Sequence, residues 1–376
     1  MRAAAGIYVH LPFCRSRCGY CSFVVSTDET AREAYLSALD VESRILSPQA
    51  AGETFDSLYL GGGTPSLLPS ADLERLLNSL HAGFAFAASS EVTLEANPDD
   101  VGPERTREWI AAGATRVSLG VQSLEDGELA AVGRRHDSSV ARKALETLTT
   151  SGVSVSGDLL LGLPGQTAES FRRSLEGLCE TGVDHVSVYI LETEKSKTIE
   201  EDRHLHPERY LSDDAQADLW LELSERLRTR GFLHYEISNW AVPGREARHN
   251  LKYWRRTPTL GFGVSAHEFW SGRRRANVSG LPQYIATLQE RRRPTALDRA
   301  LDADEETRER IVLGLRLSEG VPRREIDDWI AASEDPLLAQ DYGDWRAEGL
   351  LSEADGAVCF TEKGFLLSNE ILCRFV

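Results

Sequence analysis

Gly6-Ile7-Tyr8-Val9-His10-Leu11-Pro12-Phe13-Cys14-Arg15-Ser16-Arg17-Cys18-Gly19-Tyr20-Cys21 sets an apolar run of strand length directly before three cysteines. The run is nearly continuous in apolar side chains, as in a parallel strand buried on both faces. Working outward, the same unit recurs. Ser57–Leu60, Glu91–Glu95, Arg116–Gly120, Val155–Leu161 and Asp184–Ile190 read as strands, and helical periods over Glu33–Leu46, Asp72–His81 and Glu169–Glu180 fall between them. Six such βα repeats predict an α/β fold, a partial (β/α)6 barrel of TIM type.

The unusual residues fall where that barrel would need them. Gly61-Gly62-Gly63-Thr64-Pro65, Glu95-Ala96-Asn97-Pro98, Gln122-Ser123 and Gly162-Leu163-Pro164-Gly165 all follow predicted strand ends, the rim on which βα barrels carry their chemistry. The cysteines follow the first strand and share that rim. Their C-x3-C-x2-C spacing lets one loop hold three corners of an iron–sulfur cubane and leaves one iron without a protein ligand. A zinc site completed by His10 or His136 is the competing reading, although zinc loops more often pair two C-x2-C knuckles. Arg15 and Arg17 favour thiolates under either reading.

Composition narrows the function classes. The chain has 376 residues, with 59 acidic against 42 basic and a formal charge of −17. That balance repels phosphate backbones, so nucleic acid is not an expected partner. No run is long enough for a bilayer-spanning helix and no secretory apolar region opens the chain, which predicts a cytoplasmic protein without a transmembrane segment. Six cysteines are too sparse for a disulfide scaffold. The apolar neighbours of Cys179, Cys359 and Cys373 predict small buried side chains.

Past residue 190 the βα rhythm stops. A charged stretch precedes an amphipathic helix near Asp214–Arg230 and a Trp-rich region to about residue 270. The expected division is a core barrel over residues 1–240, a segment closing the barrel mouth over 241–300, and a C-terminal domain over 301–376. Arg291-Arg292-Arg293-Pro294 reads as a solvated linker. Helices over Glu305–Leu317, Arg323–Ala332 and Leu337–Glu348, then a turn at Ala354-Asp355-Gly356, predict a helical, winged-helix-like end without a basic face for DNA.

The loop from Tyr8-Val9-His10 to Cys21 resembles the cluster loop of the radical S-adenosylmethionine superfamily. With Gly61-Gly62-Gly63-Thr64-Pro65, Gly120-Val121-Gln122 and Asp158-Leu159-Leu160-Leu161-Gly162-Leu163-Pro164, it resembles the branch that includes oxygen-independent coproporphyrinogen III oxidase. The resemblance implies a [4Fe–4S] cluster on Cys14, Cys18 and Cys21, and S-adenosylmethionine held by Tyr8, Tyr20, Gly62, Gly63, Thr64, Glu95, Gln122, Arg134 and Asp158. It implies an electron donor for the cluster and reductive cleavage of S-adenosylmethionine to methionine and a 5′-deoxyadenosyl radical, with no further catalytic residue assigned. Phe23 stands where the decarboxylases carry another cysteine, and His249-Asn250-Leu251-Lys252-Tyr253-Trp254 is similar to the HNxxYW motif of the HemW heme chaperones. That branch implies heme held by His249, Tyr253 and Trp254 and passed to an acceptor protein. The alternative is oxidative decarboxylation of coproporphyrinogen III.

Overall fold

Strand β1, Ala5–Leu11, carries almost no solvent exposure, and the sheet is built outward from it. In the computed structural model, which describes residues 3–375, β1 is followed by β2 (Thr54–Gly62), β3 (Ala85–Ala96), β4 (Arg116–Gln122), β5 (Ser154–Leu161) and β6 (His185–Ile190). Each pairs in parallel with the next, and helices such as Arg32–Leu46, Ser70–Gly83, Ser138–Thr149 and Ala168–Glu180 form the crossovers. This is the partial βα barrel that the sequence predicts. Local signals fix several element ends. Asp137 caps Ser138–Thr149, Thr167 and Ser170 form a capping box on Ala168–Glu180, and Gly113 ends Pro103–Ala112 at φ 112°.

The structure separates into two compact units, residues 1–212 with 257–299, and residues 213–256 with 300–376. The boundary at 299 falls beside the expected one at 300, while those at 212 and 256 differ from the expected one at 240. The free edge of β1 requires a backbone partner, and Thr259–Phe262 supplies it by pairing in parallel with Gly6–Val9. Residues just before it belong to the second unit, where Arg255 and Arg256 pair with Glu319 and Glu309. His267–Trp270 and Arg273–Asn277 then extend the first unit's sheet antiparallel.

One buried carboxylate ties this return segment to the helix Arg32–Leu46 that follows β1. Glu42 accepts from Tyr284 Oη at 2.6 Å, Asn277 Nδ2 at 2.6 Å and Gly263 N at 2.8 Å. Beside it, Tyr35 Oη donates to His10 O at 2.6 Å and accepts from Val264 N at 3.0 Å. Burial pushes the Glu42 carboxyl up to about 7, against the three donors that favour its ionised form. Because the folded pKa lies above the unfolded value, the folded state holds a proton that the unfolded chain releases. Stability from this group therefore falls as pH rises from about 4.5 to about 7. Urea unfolding at pH 5 and pH 8 checks this: the stability advantage of wild type over Glu42→Gln is expected to shrink by about 2 kcal/mol across that range.

The second unit holds the helix Asp213–Thr229, the short helix Arg248–Trp254 and the C-terminal helices Ala303–Gly314, Arg323–Ala332 and Leu338–Ala347. Val321–Pro322, Leu351–Ala354 and Ala357–Phe360 make a three-stranded antiparallel sheet. Asp355 and Gly356 turn its hairpin at φ 51° and 77°, as a two-residue primed turn demands. Ile311, Ile326, Val358, Phe360 and Phe365 are in its core. Cys373, expected to be buried, is exposed, and its Sγ donates to Glu370 O. It lies in the final 3-10 turn, whose buried side chain is Phe375. Cys179 and Cys359 are half-buried. Among the described residues no helix is long and apolar enough to cross a membrane.

Candidate functional site

The C-terminal ends of β1 and β2 are pressed together by glycine. Gly63 N donates to Leu11 O at 2.8 Å and Thr64 N to Phe13 O at 2.9 Å, directly before Cys14. A Cβ on Gly63 would stand 2.7 Å from Pro12 C, and one on Gly62, at φ 109°, would stand 2.5 Å from the His10 ring. The glycine triplet thus acts first through the protein, by letting β2 close on the base of the cysteine loop.

His10 is held in the neutral state by its partners. Val24 O can only accept, so Nε2, 2.8 Å away, carries the proton, and Nδ1 accepts from Tyr8 Oη at 3.0 Å. Burial lowers its pKa in the same sense. Both ring nitrogens are spent, so His10 offers no lone pair to zinc. His136 Nε2 donates to Val121 O at 3.2 Å, and burial, with the Arg134 charge, pushes that imidazole down to about 4.

Cys14, Cys18 and Cys21 are free thiols lining one cavity of about 320 Å³. Tyr20, Gly62, Gly63, Thr64, Glu95, Gln122, Arg134 and Asp158 line the same cavity. Tyr8 does not; its hydroxyl is turned to His10 and its ring lies on Tyr59 at 6.1 Å. Among the described residues no three His, Cys, Asp or Glu side chains converge as they would around a single ion. The three thiols line one space, as a cluster held by three cysteines requires.

A hydrogen-bonded chain ties two of the thiols together. Arg134 Nη2 donates to Asn97 Oδ1 at 2.7 Å and to Gly120 O at 2.6 Å. Asn97 Nδ2 donates to Thr64 Oγ1 at 3.1 Å, and Thr64 Oγ1 to Cys14 Sγ at 3.3 Å. Arg134 Nη1 reaches Cys18 Sγ at 3.7 Å. Burial raises the Cys14 thiol pKa, and the Thr64 hydroxyl and Arg134 charge oppose that rise. Arg134 Nε is buried without a hydrogen-bond partner, which leaves a donor for a bound acceptor.

The far wall is acidic. Glu95 accepts from Tyr59 Oη at 2.8 Å and Gly62 N at 3.0 Å, and burial, together with the Asp158 charge, pushes it up to about 7. Asp158 accepts from Ser118 Oγ at 2.9 Å and Ser156 Oγ at 3.1 Å, and burial raises it too. Such acceptors suit ribose hydroxyls or an ammonium group. Gln122 adopts φ 67° where the β4–β5 register shifts, an uncommon conformation for a side-chain-bearing residue. Sequence reading missed Tyr59, Ser118 and Tyr189 and placed Asn97 on the rim without a role; all four line the cavity. The signal lay in strand alternation: Tyr59 is two residues before Gly61, and Asn97 two after Glu95.

The HNxxYW segment forms the helix Arg248–Trp254 in the second unit. His249 is buried, with Nε2 2.9 Å from Tyr253 Oη one turn on. Burial, aided by Lys252, pushes it down to about 3, so the imidazole is neutral and its ligating form is the stable one. The Trp254 ring lies under Arg316 at 5.6 Å.

Comparison with known proteins agrees with these features. Residues 8–178 match the radical SAM superfamily and residues 301–367 the HemN C-terminal domain. A solved structure of coproporphyrinogen III oxidase (HemN) from Escherichia coli superposes with a TM-score of 0.84 at 25% identity, covering 100% of this chain and 90% of that one. Heme chaperone HemW of Bacillus subtilis is 32% identical over 378 residues, covering 98% of each chain. Heme chaperone HemW of Mycobacterium tuberculosis is 34% identical over 372 residues, covering 98% of this chain and 93% of its own. With that identity sustained end to end, the chain belongs to the HemW heme chaperone family, within the radical SAM superfamily.

Proposed function

We propose that this protein binds heme and passes it to an acceptor protein, and that it carries a [4Fe–4S] cluster on Cys14, Cys18 and Cys21 with S-adenosylmethionine beside it. The observation that carries the cofactor assignment is the single cavity lined by three free cysteines together with Gly62, Gly63, Thr64, Glu95, Gln122, Arg134 and Asp158. Heme and its transfer rest on the relatives of nearly equal length named heme chaperones. A cluster with an open iron supplies the electron that breaks a sulfonium C–S bond.

The chain's own residues then have distinct tasks. Thr64, Asn97 and Arg134 orient Cys14 and Cys18, and Thr64 and Arg134 favour the Cys14 thiolate. Gly62 and Gly63 hold the loop against β2. Glu95 and Asp158 offer acceptors to the ribose and ammonium ends, while the Arg134 Nε offers a donor. The exposed Phe23, in place of a further cysteine, weighs against the decarboxylase alternative. Six cysteines, too sparse for a disulfide scaffold, accord with a reducing cytoplasm.

His249 is the proposed axial heme ligand, with Tyr253 and Trp254 beside the macrocycle. Because Tyr253 Oη occupies Nε2, ligation through that nitrogen must displace the hydroxyl. Anaerobic heme titration read by the Soret band tests this. His249→Ala is expected to weaken heme binding at least about tenfold, whereas Tyr253→Phe, which removes the competitor, binds as well as wild type or better. An unchanged Soret band in His249→Ala would sink the ligand assignment.

A further inference from the structure

Among the described residues the first unit's sheet ends at Thr295–Ala300, with no strand beyond it. All six of its residues are exposed, so it offers solvent both faces as well as an edge. A last strand turns alternate N–H and C=O groups outward, a template for pairing with another chain. Proline is one usual guard of such an edge, and Thr295-Ala296-Leu297-Asp298-Arg299-Ala300 contains none. Its carboxylate is already engaged. Asp298 accepts from Arg273 Nε at 2.6 Å and from Arg275 Nε at 3.0 Å, bonds that hold the strand against its neighbour Arg273–Asn277.

The charge here opposes that of the whole molecule. Residues 257–299 hold seven arginines against Glu268, Glu290 and Asp298, in a chain of −17. The other two carboxylates are also engaged. Glu268, with a side chain 2% exposed, accepts from Arg275 at 2.7 Å and from Arg293 at 2.6 Å, and Glu290 pairs with Arg292. Side chains alternate along a strand, which puts Leu297 and Arg299 on the face opposite Asp298. Arg274, between Arg273 and Arg275, falls on that same face, over the Phe269 ring at 4.4 Å. Leu297 and Arg299 are both exposed.

We propose that Thr295–Ala300 docks an extended acidic segment of a partner protein, which joins the sheet as its next strand. On one face of that segment an apolar side chain meets Leu297 and, two residues away, a carboxylate meets Arg299. Backbone chemistry decides the class of partner. An anionic bilayer or a phosphate backbone can neutralise arginine, but neither returns the alternating donors and acceptors of a strand edge. A second copy of this chain does not suit, because two such edges would bring arginine against arginine. The arginines thus guard against like edges and leave an acidic strand as the match. At about 0.1 M salt the screening length is about 10 Å, so the segment responds to this edge and not to the total charge.

The probe is a fluorescein-labelled peptide of the repeat Thr-Leu-Thr-Glu, titrated with the protein at about 0.1 M salt and read by anisotropy. Saturable binding is expected. Arg299→Glu is expected to weaken it about tenfold, as is lysine in place of the peptide's glutamates. Proline in place of a central threonine removes a backbone donor from the peptide and is expected to weaken binding at least as much. Arg324→Glu makes the same charge change at a 92% exposed position in the second unit and is expected to bind as wild type. Amide hydrogen exchange along Thr295–Ala300 is expected to slow when the peptide is added. Absence of binding overturns the proposal, as does equal affinity for the lysine or proline peptide, wild-type affinity of Arg299→Glu, or unchanged exchange in that strand. Sedimentation with phosphatidylglycerol vesicles but no peptide binding overturns it in favour of a membrane surface.

Discussion

Cys18→Ser, reconstituted anaerobically, is expected to retain less than about a tenth of the wild-type iron and sulfide, because a hard hydroxyl does not replace a soft thiolate on iron. Cys14→Ser and Cys21→Ser behave alike, since the three thiols line one cavity and none has a substitute nearby. The neighbouring chain of hydrogen bonds gives a graded companion. Asn97→Leu keeps all three ligands but breaks the link from Arg134 to Thr64 and so to Cys14. It is expected to lower cluster retention about tenfold or less, in the range of second-sphere changes at metal sites. Iron and sulfide analysis beside the visible spectrum checks both. Wild-type loading in any of the cysteine variants contradicts the assignment.

Gly62→Ala is expected to destabilise the protein by about 3 kcal/mol, combining backbone strain and overpacking. Its φ of 109° suits glycine alone, and the added Cβ would meet the His10 ring at 2.5 Å. That ring is fixed on both edges by Val24 O and Tyr8 Oη, so it has little room to yield. Gly52→Ala is the comparison, with φ 84° but no atom within 4 Å of the new Cβ. It carries conformational strain without collision and is expected to cost about 1–2 kcal/mol. Urea midpoints of the two variants separate the terms. Equal losses would mean that β2 does not press on the His10 ring of β1 through Gly62.

Much of this architecture is legible along the chain, because βα units announce themselves locally. Strands β1 to β6 appear as apolar runs ended by glycine, proline or polar residues, and the same punctuation marks the rim. What stays hidden is non-local. Thr259–Phe262 is four residues without alternation, and only its pairing with Gly6–Val9, some 250 positions away, makes it a strand. The unit boundaries at 212 and 256 are hidden for the same reason, while the one at 299 is legible. Glu42 reads as a surface residue in a helix, and its burial depends on Asn277 and Tyr284 arriving from far downstream.

The site divides the same way. Residue types were readable: thiols for iron, glycines at a strand end, carboxylates on a rim. Direction was not. Tyr8 belongs to β1, yet its hydroxyl serves His10, and Arg134 turns out to span Asn97, Gly120, Tyr20 and Cys18 at once. The HNxxYW helix shows a further limit. Its motif was plain in sequence, but the engagement of His249 with Tyr253 is a tertiary fact that sets what heme ligation would have to displace.

The most direct measurement is an anaerobic heme titration of the reconstituted protein, followed on the same sample by product analysis with coproporphyrinogen III, reductant and S-adenosylmethionine. The account predicts saturable heme binding, transfer of that heme to an acceptor protein, and no protoporphyrinogen. Protoporphyrinogen formation without heme binding would contradict it.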